Sequence, residues 1–368
     1  MVQRNDALKV EQGRGPKALW AASALALGLL AAVAARAEAP APATANFTRL
    51  WHQGRVTGDL NRIVDFYHGA LGLGLRGDLS KALVFYANAP VNTFVGSPEQ
   101  AAFRVLHMPI PGAGRESDGA EAITLEAFEY RDIGRRQAAP GMSDSGMSNL
   151  VFTVRDLEGA LAAVKRAGAA VITPGGLPVA VALPDGASGR GRAVMVRDPD
   201  GYPVELLEVA PAAPSLAPAG SNVLGSATAL VVGDLDASLA FYRGFLGQGA
   251  RITAASSWRD AGDLAALRGT GKAAYRTASI ALPGSAVTLQ LIQFRGAPGK
   301  AYRPDYRDIG HAHLALYTAD IRQAFDLTRR LGAAPLSPTG SWTTFSPTLK
   351  GFYTRDPDGF FLEVIEKD

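Results

Sequence analysis

Cysteine is absent from all 368 residues, which excludes a disulfide framework and any thiolate metal site. Histidine is scarce. Only His52, His68, His107, His311 and His313 occur, so a nitrogen-ligated centre must draw on that short set. Long apolar runs are also lacking, apart from one at the N-terminus between Ala18 and Ala35. A real excess of positive charge is missing too. Five of the 37 basic residues and two of the 34 acidic ones fall within residues 1–37, leaving 32 of each sign in the remainder. The high isoelectric point of about 9.1 therefore belongs to the N-terminal segment, and the chain lacks the electrostatic footing of a nucleic-acid binder.

That N-terminal segment reads as an export signal. Arg4, Lys9, Arg14 and Lys17 precede the apolar run, and Ala35-Arg36-Ala37 places small residues at −3 and −1 of a cut before Glu38. The expected division is a signal peptide over 1–37 and an Ala/Pro-rich leader over 38–46. An uncleaved anchor is the alternative, because the run sits at the lower edge of spanning length. Either way the folded part is expected outside the cytoplasm, periplasmic or secreted, with no membrane contact beyond the signal.

What the chain does have is repetition. Arg197-Asp198-Pro199-Asp200-Gly201 and Arg355-Asp356-Pro357-Asp358-Gly359 stand 158 residues apart, each a tight turn leading into a strand. Alternation in those strands puts Glu205 with Pro203 and Leu207, and Glu363 with Phe361 and Ile365, on inward faces. A carboxylate so placed is costly to bury unless a cation meets it. A second pattern opens helices. Leu60, Val64, Tyr67 and Leu71 keep helical spacing after Asp59, and Asp234-Leu235 to Tyr242 repeats it, with looser copies at Asp156 and Asp320. Short extended segments follow each opening, so the unit is β-α-β-β-β, present four times from near residues 47, 148, 225 and 311. An Ala/Pro linker over 210–224 separates the halves 47–209 and 225–368.

On these motifs the chain resembles the vicinal oxygen chelate superfamily of glyoxalase I, extradiol dioxygenases and bleomycin-resistance proteins. The resemblance spans about residues 45–367. It implies an α+β fold of four βαβββ modules in tandem, paired into two cupped mixed sheets, each able to hold a divalent metal on its first and last strands. Carried over residue by residue, the first-strand column is His52, Asn149, Ala227 and His313, and the last-strand column is Glu126, Glu205, Gln290 and Glu363. His52 shares strand parity with Leu50 and Val56, and Glu126 with Phe128 and Tyr130, so both are expected to point inward.

Two pairings of modules are open. Neighbouring pairing, the default for consecutive elements, separates the histidines. Pairing the first module with the fourth unites His52, Glu126, His313 and Glu363 as a metal set and leaves Asn149, Glu205, Ala227 and Gln290 as a lapsed second site. Ligand completeness favours the latter. A sulfur-free N/O set suits Zn, Fe, Mn, Ni or Co without choosing among them. The preferred reading is an enzyme acting on a small oxygenated substrate chelated to the metal, with Glu126 or Glu363 moving a proton. The alternative is a metal-free small-molecule binder of bleomycin-resistance type. A monomer or homodimer is expected. Glutathione-thioester chemistry is set aside because it belongs in the cytoplasm. Ring cleavage is disfavoured because Thr344-Phe345-Ser346 stand where the extradiol signature wants a histidine. Tyr353 is read as a strand residue, Arg104 and Arg276 as structural ion pairs, and His311 as a supporting or surface residue.

Overall fold

The computed structural model describes residues 47–114, 122–183, 190–212, 214–247, 250–260, 262–297, 299–336 and 340–368. The expected signal peptide and the whole of the leader lie outside them. Among the described residues no helix is long and apolar enough to cross a membrane.

Four βαβββ modules are present. The first holds β1 (Phe47–Thr57), β2 (Tyr86–Ala87), β3 (Ala102–Pro109) and β4 (Thr124–Arg131). The second holds β5 (Ser148–Val154), β6 (Ala170–Val171), β7 (Val179–Val181), β8 (Arg190–Arg197) and β9 (Pro203–Ala210). The third holds β10 (Val223–Val231), β11 (Arg259–Asp260), β12 (Ala274–Ala281) and β13 (Thr288–Arg295). The fourth holds β14 (Ala312–Thr318), β15 (Thr343–Ser346), β16 (Leu349–Arg355) and β17 (Phe361–Lys367).

The sheets pair the first module with the fourth and the second with the third. One sheet runs β15-β16-β17-β14-β1-β4-β3-β2, and the other runs β11-β12-β13-β10-β5-β9-β8-β6. Each is mixed and curled, with an antiparallel seam between first strands, β1 on β14 and β10 on β5. The halves 47–209 and 225–368 are therefore not sheet units, because each half gives one module to each sheet.

The four helix openings form by one local device used four times. Asp59, Asp156, Asp234 and Asp320 each cap a helix by accepting a backbone N–H from within the first turn, at 2.9–3.1 Å. The next orphaned N–H is met from the last strand of the same module. Leu60 donates to Glu129 (2.7 Å), Leu157 to Glu208 (3.3 Å), Leu235 to Gln293 (3.3 Å) and Ile321 to Glu366 (2.7 Å). In the first module the helix Leu60–Val64 continues as a π-helical turn over Asp65–Ala70 instead of staying α-helical throughout. Leu60, Val64, Tyr67 and Leu71 are all buried.

The helices and the outward sheet faces share one core, which includes Leu60, Leu157, Leu235, Ile321, Leu125, Leu206, Leu289 and Leu362. Smaller apolar clusters fill the concave face of each sheet. Gln53 ties the sheets together across the shared core, donating to Thr228 Oγ1 (2.8 Å) and accepting from Ser226 Oγ (3.0 Å).

The Asp-Pro-Asp-Gly turns join modules that do not share a sheet. Asp198 accepts from Tyr67 Oη of the first module at 2.8 Å, and Asp356 accepts from Tyr242 Oη of the third at 2.9 Å. Both turns are buried, but their charge is handled differently. Asp198 and Asp200 meet the fully buried guanidinium of Arg55, with Arg55 Nη2 2.9 Å from Asp200 Oδ2. The third module has Leu230 at the position equivalent to Arg55. There Asp358 accepts instead from Gly233 N (2.7 Å) and Ser238 Oγ (2.9 Å).

Two outcomes follow from that contrast. Arg55→Met should leave two buried carboxylates without their cation and cost about 3–5 kcal/mol, read as a lowered urea midpoint. Burial, then the charge of Asp358, push the Asp356 carboxyl up to about 7. Its value in the unfolded chain is roughly 3.9. Between those values the folded state holds the proton that the unfolded state releases, so this group lowers stability as pH rises through the window. Asp356→Asn keeps the Oδ1 acceptor and should flatten that part of the stability–pH curve. An unchanged slope from roughly pH 4 to 7 would contradict the assignment.

Candidate metal centre

The seam between β1 and β14 decides the site. In register, Gly54 faces His313, and the imidazole of His313 lies where a side chain on Gly54 would go. A Cβ built there would stand 2.1 Å from both Cε1 and Nε2 of His313. Glycine is thus required by close approach, since only its missing side chain lets the two strands bring their histidines together.

Four side chains converge there, and all are buried: His52 (0% exposed), His313 (1%), Glu126 (8%) and Glu363 (5%). His52 Nε2 lies 3.0 Å from His313 Nε2 and 3.0 Å from Glu363 Oε2. His313 Nε2 is 3.3 Å from Glu363 Oε2. Glu126 stands slightly back, at 3.7 Å from His52 Nε2 and 3.9 Å from His313 Nε2. The expected residues are therefore together, on the pairing that ligand completeness favoured.

Donor atoms about 2.1 Å from one ion lie roughly 3.0–3.5 Å from one another, close to the spacings seen here. The chemistry of the set points the same way. A single proton on His52 Nε2 cannot serve both His313 and Glu363, and two carboxylates meet in a buried space where a divalent cation would neutralise them. Burial works against the charged form of His52, but Glu126 and Glu363 outweigh it and raise its pKa above the ordinary histidine value. Burial likewise opposes ionisation of Glu363, yet contacts with His313 and His52 carry its pKa well below the usual carboxylate range. The raised His52 value reflects the negative charge of the carboxylates around it, and the lowered Glu363 value reflects the two imidazoles it meets.

Strand parity needed one correction. Val56 lies with His52 on the concave face, but Leu50 belongs to the opposite core, because the β1–β14 register shifts between Leu50 and His52. That irregularity swings Trp51 towards the site, where its ring stacks on His107 at 5.8 Å.

His107 is the neighbour that the motifs missed. It is the ladder partner of Glu126 on β3, with Nε2 3.6 Å from Glu126 Oε2 and Nδ1 3.1 Å from Thr124 Oγ1. Burial lowers its pKa to about 4 in spite of Glu126, so it is neutral at ordinary pH. Finding it required the β3–β4 hairpin register. Tyr353 is likewise the ladder partner of Glu363, and its hydroxyl lies 3.0 Å from Tyr306 Oη and 3.4 Å from His313 Nε2. It is more than a strand residue. His311 is fully buried, stacked 5.7 Å from His313 and edge-on to Phe361 at 4.2 Å, so the surface alternative is excluded. Arg104 pairs with Glu129 at 2.7 Å, and Arg276 with Asp236 at 2.8 Å, on the structural reading.

A cavity of about 150 Å³ opens on the centre, lined by Glu126, Glu363, His107 and a set of aromatic rings that includes Trp51, Phe94 and Tyr353.

The second sheet gathers the other columns at its centre, with different chemistry. Arg268, at the end of the helix Gly262–Arg268, donates from Nη2 to Asn149 Oδ1 at 2.7 Å and approaches Glu205 Oε2 at 3.8 Å. Gln290 lines the same space, and Ala227 offers no ligand atom. A fixed cation stands beside the carboxylate here.

A sequence model described as the Glyoxalase/Bleomycin resistance protein/Dioxygenase superfamily matches residues 49–206 and 226–364. The chain belongs to this superfamily. Each matched stretch is two modules long and follows the sequence halves, whereas the sheets pair across them. No curated protein matches the chain in sequence. Among solved structures, glyoxalase I from Zea mays is similar at 18% identity, with a TM-score of 0.51, over 86% of this chain and 92% of that one. A glyoxalase family protein from Bacillus cereus matches at 18% identity and TM-score 0.34, over 46% of this chain and 99% of its own. A variant of homoprotocatechuate 2,3-dioxygenase from B. fuscum matches at 16% identity and TM-score 0.26, over 89% and 74%. Of these three, the Zea mays match carries weight, and it bears on the fold.

The Gly54 contact yields a sharp expectation. Gly54→Ala should fold, since its backbone is ordinary strand, but it should expel the His313 ring and lower affinity for a divalent ion at least about tenfold. Titration of the purified variant with Zn²⁺ or Mn²⁺ reads this directly. Unchanged affinity would mean that His313 does not bind from this position.

Proposed function

We propose that the chain is an exported, metal-dependent enzyme of this superfamily acting on a small oxygenated substrate, with His52, Glu126, His313 and Glu363 holding one divalent ion. The observation that carries the reading is the convergence of two buried imidazole Nε2 atoms, 3.0 Å apart, with two buried carboxylates on the floor of a cavity.

A divalent ion bound there would supply Lewis-acid polarisation of a substrate that offers two adjacent oxygens. The protein's own part is binding, orientation and proton handling. Glu126 and Glu363 both face the cavity, so either can accept a substrate proton and return it. Glu126 is the better placed of the two, because it stands farther from the histidines and neutral His107 lies within 3.6 Å to support it. Tyr353, held by Tyr306, presents a hydroxyl beside the site that can orient a substrate oxygen. The aromatic walls exclude water and suit a flat, largely apolar body. The first 37 residues would direct the protein out of the cytoplasm, and a mature N-terminus at Glu38, read by mass spectrometry of periplasmic or secreted protein, tests that part.

Untagged protein should carry about one equivalent of transition metal per chain, lost in both His52→Ala and His313→Ala. Glu126→Gln should retain metal at reduced affinity while turnover falls by roughly 10²–10⁴ on any α-keto aldehyde, diol or catechol that proves to be a substrate. A folded, metal-free protein that still binds a small molecule would instead favour the sequestering function.

A further inference from the structure

The second sheet's centre has what a built anion site needs. Arg268 is 3% exposed, yet Nε and Nη1 of its guanidinium have no partner among the described residues, and only Nη2 is engaged, by Asn149. A buried guanidinium leaves donors empty at a cost, and natural interiors meet such donors with an acceptor. Glu205 does not fill the role. Its nearest approach, 3.8 Å to Nη2, exceeds hydrogen-bonding distance. Burial, against the pull of Arg268, raises the pKa of Glu205 above the ordinary value.

Arg268 borders a cavity of about 70 Å³ whose other walls include Leu207, Tyr275, Gln290 and Ile292, with the carboxylates of Glu205 and Asp263 also on its lining. A second cavity, of about 340 Å³, shares Leu183, Leu207 and Gln290 with it and runs beneath the inter-half linker, where Val209 and Leu216 add apolar surface. Free cationic donors at one end and an apolar channel at the other match a ligand with a charged head and a hydrocarbon tail.

We propose that the second sheet binds a small organic carboxylate, its head accepting from Arg268 and its apolar tail lying along Leu207 towards Leu216. The site is separate from the His/Glu centre and needs no metal.

The probe is sodium octanoate, titrated by calorimetry into the full mature protein, with octanol and inorganic phosphate as single-feature controls. One octanoate per chain should bind to wild type and equally to His313→Ala, at least about tenfold more weakly to Arg268→Met, and more tightly than either control binds. Binding that vanishes in His313→Ala, that ignores Arg268→Met, or that is undetectable at millimolar octanoate would overturn the proposal. Should Arg268→Met fail to fold, Leu207→Trp decides. It keeps the guanidinium but fills the tail channel, and it should abolish octanoate binding while the metal content of the first centre stays unchanged. Undiminished binding in that variant refutes the site.

Discussion

A turn with two aspartates is an awkward thing to bury, and this protein buries two of them at the joints between its modules. Asp198 and Asp356 each accept two backbone N–H groups of their own turn, at 2.8–3.0 Å, so the turn is rigid before it docks. Each then accepts a tyrosine hydroxyl from the helix of the preceding module. These bonds link the first module to the second and the third to the fourth, while the β-ladders link the first to the fourth and the second to the third. Every module is therefore held on one side by strands and on the other by a helix–turn contact. The four close into a ring in which no module can shift without breaking a buried, charge-bearing contact.

That closure positions the chemistry. The histidines of the candidate centre are 261 residues apart and come from the first and last modules of the chain, on the two strands that form the seam of the first sheet. Seam geometry is common to both sheets. Gly54 faces His313 in one, and Ala229 faces Asn149 in the other. The difference lies in what the seam carries. A glycine leaves space for an imidazole, whereas an alanine stands opposite the smaller asparagine. The ladder neighbours diverge in the same sense, with His107 and Tyr353 beside the carboxylates of the first sheet and Ser279 and Met195 at the matching places of the second.

Much of this was legible in the residues. The helix caps, the turns and the inward carboxylates are local patterns with fixed offsets, so the four modules could be read from spacing, and the family resemblance then assigned the eight column positions to them. The pairing of modules could not be derived from local signals, because β1 meets β14 through contacts that span most of the chain. Only the completeness of the His/Glu set pointed to it. His107 escaped because its role depends on hairpin register, and Trp51 because an irregularity in β1 reverses the parity that alternation predicts. Arg268 was invisible for a different reason. It sits on a short helix outside the repeat pattern and reaches the second centre only through the way that helix covers the sheet.

Arg268 also changes how the second centre should be understood. Here Ala227 and Gln290 stand in the columns where the first sheet has His and Glu, and a guanidinium tethered to the protein lies beside the Glu205 carboxylate. Placing histidines at 149 and 227 would not by itself create a cation site, since an incoming metal would meet a buried positive charge at 3.8 Å from Glu205. The repeated module has thus been used with opposite electrostatic sense in its two sheets. In one, two carboxylates meet two imidazoles, and in the other a fixed guanidinium stands beside a carboxylate. A fold whose structural carboxylates lie three residues further along the same strands, at Glu129, Glu208 and Glu366, is free to vary its central residues this way, because the groups that hold the helices are not the groups that face the cavity.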